Sequence, residues 1–195
     1  MTPAPPSTTA LLERVHRFYP ANLHGDDPRY AESEEHQRLL EIRSAAWESR
    51  GTWKEVLSQL REALPQSQIE DWTALHSDSC WRVRVYLPGP LPVEGGGQEF
   101  RSVVGLVSLL APVSAIYTSF HRKSDTLWHP PTLFYEPVPE ARSTEEAVES
   151  ALHAALGVHR LPYPTLFTPV PDIQCFNVPL GKAHLIDCLF TDDRW

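Results

Sequence analysis

A chain of 195 residues, 42% hydrophobic and 22% charged, is long enough to bury the core of one domain and ordinary for a soluble globule. Its net charge of −8 argues against a general nucleic-acid binder, which needs clustered Lys and Arg against phosphates, and suits a basic protein partner. Three cysteines without CxxC spacing exclude a disulfide framework, so Cys80, Cys175 and Cys188 are expected as free, buried thiols in a reducing compartment. The first residues carry neither a basic leader nor a continuous apolar run, and a cytoplasmic protein is expected.

The chain opens with a proline-rich stretch, after which Leu11, Leu12, Val15, Phe18 and Tyr19 recur at helical spacing until Pro20. Asp26-Asp27-Pro28 reads as a helix start, with the acids in the first turn. The segment EEHQRLLEIRSAAWESR then presents Leu39, Ile42 and Ala46 beside Leu40 and Trp47, with Gly51 as its stop. A capping box of Thr52 and Glu55 predicts the next helix, whose stripe is Trp53, Val56, Leu57, Leu60 and Leu64 before Pro65. From Ile69 the period changes to two. Ile69 to Leu75 is a strand candidate, and Trp81, Val83, Val85 and Leu87 alternate with Arg82, Arg84 and Tyr86 as a strand with one wet face.

Phe100 to Phe120 is the apolar centre of the chain. Both parities are apolar before Pro112, which predicts two adjacent strands reversing at Ala111-Pro112 in the middle of a sheet. A membrane-spanning helix is the rival for a run of about 20 residues. The serines, the threonine and Gly105 within it, with its β-branched content, favour strands. Leu133 to Tyr135 reads as a short edge segment, and Ser143 with Glu146 caps a helix that Gly157 closes. Asp172 to Val178 and Ala183 to Phe190 read as two last strands. With no repeat and no linker, residues 1–195 form one α+β domain: a largely antiparallel central sheet with helices packed mainly on one face.

Candidate chemistry is sparse. Gly95-Gly96-Gly97 lacks the Lys-Ser/Thr and the helix of a phosphate loop and reads as a hairpin loop. His24, Asp26 and Asp27 carry metal-capable groups without a second ligand pair, so the helix-start reading is preferred. His184, Asp187 and Cys188 contain the residue types of a nucleophilic triad, but on a strand Asp187 would face away from the other two. Cys188 is then core, and Asp187 sits at an edge or pairs with Arg82 or Arg84. His121, Arg122, Lys123, Trp128 and His129 gather after the central strand, either as a solvated loop or as an anion or partner site. Trp195 either packs on the sheet or anchors a partner. No HExxH, GxSxG, Walker or Rossmann pattern is present.

Three segments are taken together: RFYPANLHGDDPRYAESEEHQRLL, RVRVYLPG with VVGLVSLLAPVSAIYTS, and LFTPVPDIQCFNVPLGKAHLIDCLFTDDRW. They resemble the immunity proteins of bacterial polymorphic toxin systems, most closely the family catalogued as immunity protein 52. The resemblance implies an α+β inhibitor with no catalytic residues, cofactor or metal. Its partner would be a cognate protein toxin, a restriction-endonuclease-like nuclease whose active site or DNA access it blocks, without direct nucleic-acid or membrane binding. The residues expected to meet such a toxin are the acidic Asp26, Asp27, Glu32, Glu34 and Glu35, with Trp128 as an anchor. Core positions are expected for Trp47, Trp53, Trp72 and Trp81. Two alternatives remain: an enzyme with a site near His121, Asp125 and His129, and a module that self-associates through exposed aromatic residues.

Overall fold

The computed structural model describes residues 4–94, 96–124 and 127–194. Its centre is the predicted pair of long strands, β4 (Gln98–Ser108) and β5 (Val113–Lys123), in antiparallel register from Gln98↔Lys123 to Val107↔Ser114. β2 (Cys80–Tyr86) pairs along the other side of β4, and β1 (Ile69–Asp71) and β6 (Thr132–Phe134) flank the sheet. The order is β1-β2-β4-β5-β6. β3 (Leu91–Pro92) adds antiparallel to the start of β4, and β7 (His159–Arg160) adds parallel to the start of β5. The fold is α+β on a largely antiparallel sheet.

The two parities of β4 explain the layers. Val103 and Val107 point into one apolar cluster and Val104 and Leu106 into another, so the sheet is buried on both faces. On the first face lie α4 (Gly51–Ala63) and α5 (Arg142–Leu156), docked through Trp53, Val56, Leu57 and Leu60 and through Val148 and Leu152. Gly105 sits beneath α5: a Cβ there would come within 2.9 Å of Val148 and 3.1 Å of Val83. The opposite face is covered by α1 (Thr8–Val15), by α3 (Glu34–Glu48) through Leu39, and by α6 (Tyr163–Leu166) and α7 (Leu185–Leu189). Helical cover is therefore divided between the faces, α4 and α5 on one and α1, α3, α6 and α7 on the other. Among the described residues no helix is long and apolar enough to cross a membrane.

Several local expectations change. α4 begins at Gly51 and α5 at Arg142, and neither first turn has a side-chain cap, so the boxes at Thr52/Glu55 and Ser143/Glu146 are not formed. Gly51 opens a helix; α3 ends at Ser49, whose hydroxyl donates to Ala45 O. The C-terminal segment is not a pair of strands. Leu185 to Leu189 is helical, with isolated bridges Pro169↔His184 and Cys175↔Val178 around it. The β2 strand has no wet face either: Arg82 and Arg84 are 3% and 5% exposed. Arg82 is compensated by Asp78 at 2.6 Å and by the Thr191 hydroxyl at 2.9 Å, and Arg84 lies over the Trp72 ring at 4.2 Å. The three cysteines are free and buried as expected, with Cys188 donating to the Cys175 sulfur at 3.8 Å.

Candidate functional site

The acidic residues come together on one short segment. Asp27 is the N-cap of α2 (Pro28–Glu32), its carboxylate accepting from the Arg29 backbone N–H at 2.9 Å while Pro28 takes the first turn. Ser33 caps α3 in the same way through the His36 N–H, which directs Glu34 and Glu35 outward in that helix's first turn. Two of the five carboxylates are matched locally, Asp27 by Arg29 at 2.7 Å and Glu34 by Arg38 at 2.6 Å. The Arg29 hydrogen bonds hold the Asp27 carboxyl down at about 2. Asp26, Glu32 and Glu35 make no ion pair among the described residues and carry the free negative charge of the patch.

Further along, α3 exposes two apolar side chains on one face. Leu39 and Ala46 are buried, but Leu40 and Trp47, seven residues apart and so on one helix face, are 43% and 56% exposed. Trp47 was expected in the core; it lies outside, with the Arg50 guanidinium 4.7 Å above its ring. Phe176, 36% exposed, joins this side by covering the Arg43 guanidinium at 4.7 Å. Trp53 is buried and stacked on Trp81 at 5.6 Å, and Trp72 is half-buried.

Trp128 belongs to a different place. It is 47% exposed, bridges to Lys123 at the end of β5, and packs on Phe100 at 5.1 Å and His121 at 4.5 Å. Arg43 of α3 instead donates to Ser79, next to the Cys80↔Ser108 end of the sheet. Phe100 and Ser108 are ~26 Å apart along β4 at the usual strand rise. The acidic segment and Trp128 are therefore not one site.

Around Trp128 lies a pocket of about 620 Å³ walled by Trp72, Tyr86, Phe100 and His121, with Arg84 in its lining. Burial and the neighbouring Arg84 charge push the His121 imidazole down, against an opposing hydrogen bond with the His129 backbone. The side chains of the enzyme alternative do not converge. His121 faces this pocket, whereas His129 lines another with Phe120 and Arg122, whose side chains leave β5 on the opposite face. Asp125 lies outside the described residues, as do Trp195 and Gly95. Gly96 and Gly97 belong to the predicted hairpin loop, between β3 and β4.

The His184–Asp187–Cys188 group also rearranges. Because the segment is a helix, Asp187 turns back on His184, accepting from its backbone N–H at 2.8 Å, and pairs with Arg194 instead of Arg82 or Arg84. Cys188 points into the core, where the Cys175 sulfur and burial push its thiol up and away from the reactive thiolate form. Among the described residues no group of three or more His, Cys, Asp or Glu side chains is placed to hold a metal. Searches against protein-family models, curated proteins and solved structures return no match for this chain.

Proposed function

We propose that this chain is a cytoplasmic immunity protein that neutralises a cognate toxin, a nuclease effector, by occupying its active site or its route to DNA. What supports the reading is the α2–α3 segment, which carries the carboxylates of Asp26, Glu32 and Glu35 without an ion partner among the described residues and also exposes Leu40 and Trp47. A nuclease cleft is positive because it must hold phosphates, so an acidic rim steers association, and desolvated apolar anchors inside the rim supply affinity. An interface of standard size, about 800 Å² on each partner, is centred on α3 in this reading. Trp128, at the far end of β4, lies outside it.

The test is co-expression with the product of the neighbouring gene, scored by rescue of growth and by co-purification. The wild-type chain is expected to rescue. A Glu32→Lys/Glu35→Lys variant is expected to associate at least 10-fold more slowly at low salt, and Trp47→Ala to dissociate faster. Rescue and binding that survive all three substitutions unchanged would remove the α2–α3 face from the mechanism. A wild-type chain that neither binds nor rescues would remove the immunity reading itself.

A further inference from the structure

Rows of side chains cross the sheet on the face that carries Val104 and Leu106, and the strand register gives their order. Arg84, Val104 and Tyr117 form one row, and the apolar cluster of that face closes over Val104 and Tyr117. The next row is Tyr86, Ser102 and Ser119, and the row beyond it pairs Phe100 with His121. The middle row thus places two small side chains among rings. Ser102 lines the pocket beside Trp128 together with Tyr86, Phe100 and His121. The sheet face is low there, and the rings stand as banks on either side of it.

Both banks are held by contacts outside the pocket. On one, the Trp72 indole N–H donates to Glu70 Oε2 at 2.7 Å and the Tyr86 hydroxyl donates to the same oxygen at 3.1 Å. Their polar groups are thereby engaged on β1, and what the two rings offer the pocket is apolar surface. On the other, the half-exposed Trp128 leans on Phe100 and His121, with Lys123 Nζ 5.3 Å from its ring centre. Among the described residues that line the pocket there is no Asp or Glu, in a chain whose net charge is −8. Arg84 and Lys123 stand against the one carboxylate, Glu70, that the rings engage.

We propose that this pocket binds a planar aromatic acid, its rings lying over Ser102 between the Trp72–Tyr86 bank and the Phe100–Trp128 bank. The volume of about 620 Å³ falls within the roughly 300–1,000 Å³ typical of small-molecule sites and accommodates a two-ring ligand. Ring faces supply the affinity, through offset or tilted contacts of the kind that Trp128 already makes with Phe100 and His121. The surrounding charge selects the sign. Arg84 is 5% exposed, so it acts on the ligand through its field and not by a direct bond. That same charge, with burial, already holds the His121 imidazole toward its neutral form, so His121 adds no fixed cation. The pocket is at the opposite end of β4 from the contacts of α3, and it stands or falls apart from the immunity reading.

The experiment is calorimetric titration of the full chain with naphthoate, and with uncharged naphthamide and cationic naphthylmethylammonium as analogues of the same shape, all at one ionic strength. The indole N–H resonances of Trp72 and Trp128 are followed by NMR. Saturable one-to-one binding of naphthoate with a Kd below about 1 mM is expected, with both indole resonances shifted. The amide is expected to bind roughly 3-fold more weakly, and the cation more weakly again. Trp128→Ala removes one bank at a half-exposed position and is expected to weaken naphthoate about 10-fold. Ser102→Val raises the floor with a residue that suits a strand and is expected to block binding; should that variant not fold, Trp128→Ala decides. Trp47→Ala, at an exposed tryptophan on α3, should bind as wild type. No saturation by naphthoate, equal binding by Trp128→Ala, or a loss as large in Trp47→Ala overturns the site. Amide or cation binding as tight as that of naphthoate overturns the ligand class.

Discussion

Truncating Trp47 and Trp53 in turn gives the sharpest division between surface and core, because the two residues look alike in sequence and lie on opposite sides of the boundary. Trp53 is 2% exposed, stacks on Trp81 and donates its indole N–H to Asp71 at 3.1 Å. Trp53→Ala removes that packing and leaves a cavity between α4 and the sheet, at a cost of about 3–5 kcal/mol. For a chain of this length that is a fall in Tm of about 10 °C. Trp47 is 56% exposed and its described partner is the Arg50 guanidinium, a contact worth about 0.5–1 kcal/mol at an exposed site. Trp47→Ala is therefore expected to shift Tm by no more than about 3 °C. A partner that covers the exposed half of the ring removes about 130 Å² from water, or about 3 kcal/mol at about 25 cal/mol per Å². That corresponds to roughly 100-fold in Kd. Urea unfolding followed by circular dichroism measures the first pair of numbers on the isolated chain. A Trp47→Ala loss as large as that of Trp53→Ala would show that the ring supports the fold, and would withdraw it as an anchor.

Gly105→Ala places a methyl group within 2.9 Å of Val148 and 3.3 Å of Leu152, so α5 must lift from the sheet. A loss of about 1–3 kcal/mol in urea unfolding is expected, and a neutral result would mean that α5 is not held so closely. His16 donates from Nδ1–H to Leu12 O (2.7 Å) and from Nε2–H to the Asp172 carboxylate (2.8 Å). Burial draws its pKa down, but the Leu12 and Asp172 contacts outweigh it and leave it above 6.5. Its folded value is the higher one, so this pair stabilises fully below pH 6.5 and the contribution is lost as pH rises through the folded pKa. An NMR titration should place the His16 midpoint above 6.5, and Asp172→Asn should lower it; an unmoved midpoint in that variant would deny the pairing.

The elements that could be read from sequence are those whose burial repeats with a period. The stripe of α4, the face of α5 and the two-sided apolar run of β4 and β5 each announce their partner surface. The segment from Leu185 to Leu189 defeats this reasoning because all five residues are buried, so the run has no polar face to reveal a period. The burial of Arg82 was illegible for another reason: Thr191, which helps satisfy it, is supplied from 109 positions away. At the surface the acidic segment was legible because charge near two helix starts stays in water. Trp47 was not, since an aromatic residue beside an amphipathic stripe is assigned to the core by default.

The two faces of the sheet divide stability from display. α4 and α5 bury continuous apolar stripes against Val83, Val103 and Ile116, and that layer needs little polar chemistry to hold it. The opposite layer is assembled from shorter pieces, and polar contacts tie the chain's beginning to its end. Asn22 donates to Asp172 O, Gly25 to Gln174 Oε1, the Tyr30 hydroxyl to Gln174 O, and His16 meets Asp172. Each joint spans more than 140 residues yet holds only a few atoms, so the acidic segment is positioned by hydrogen bonds rather than by deep burial. A layer built this way can change its outward residues without disturbing the sheet, because the core under it is closed by Leu11, Val15, Tyr19 and Leu39. On the proposed immunity reading, that separation confines partner-facing substitutions to α2, α3 and the 172–178 segment and spares α4 and α5.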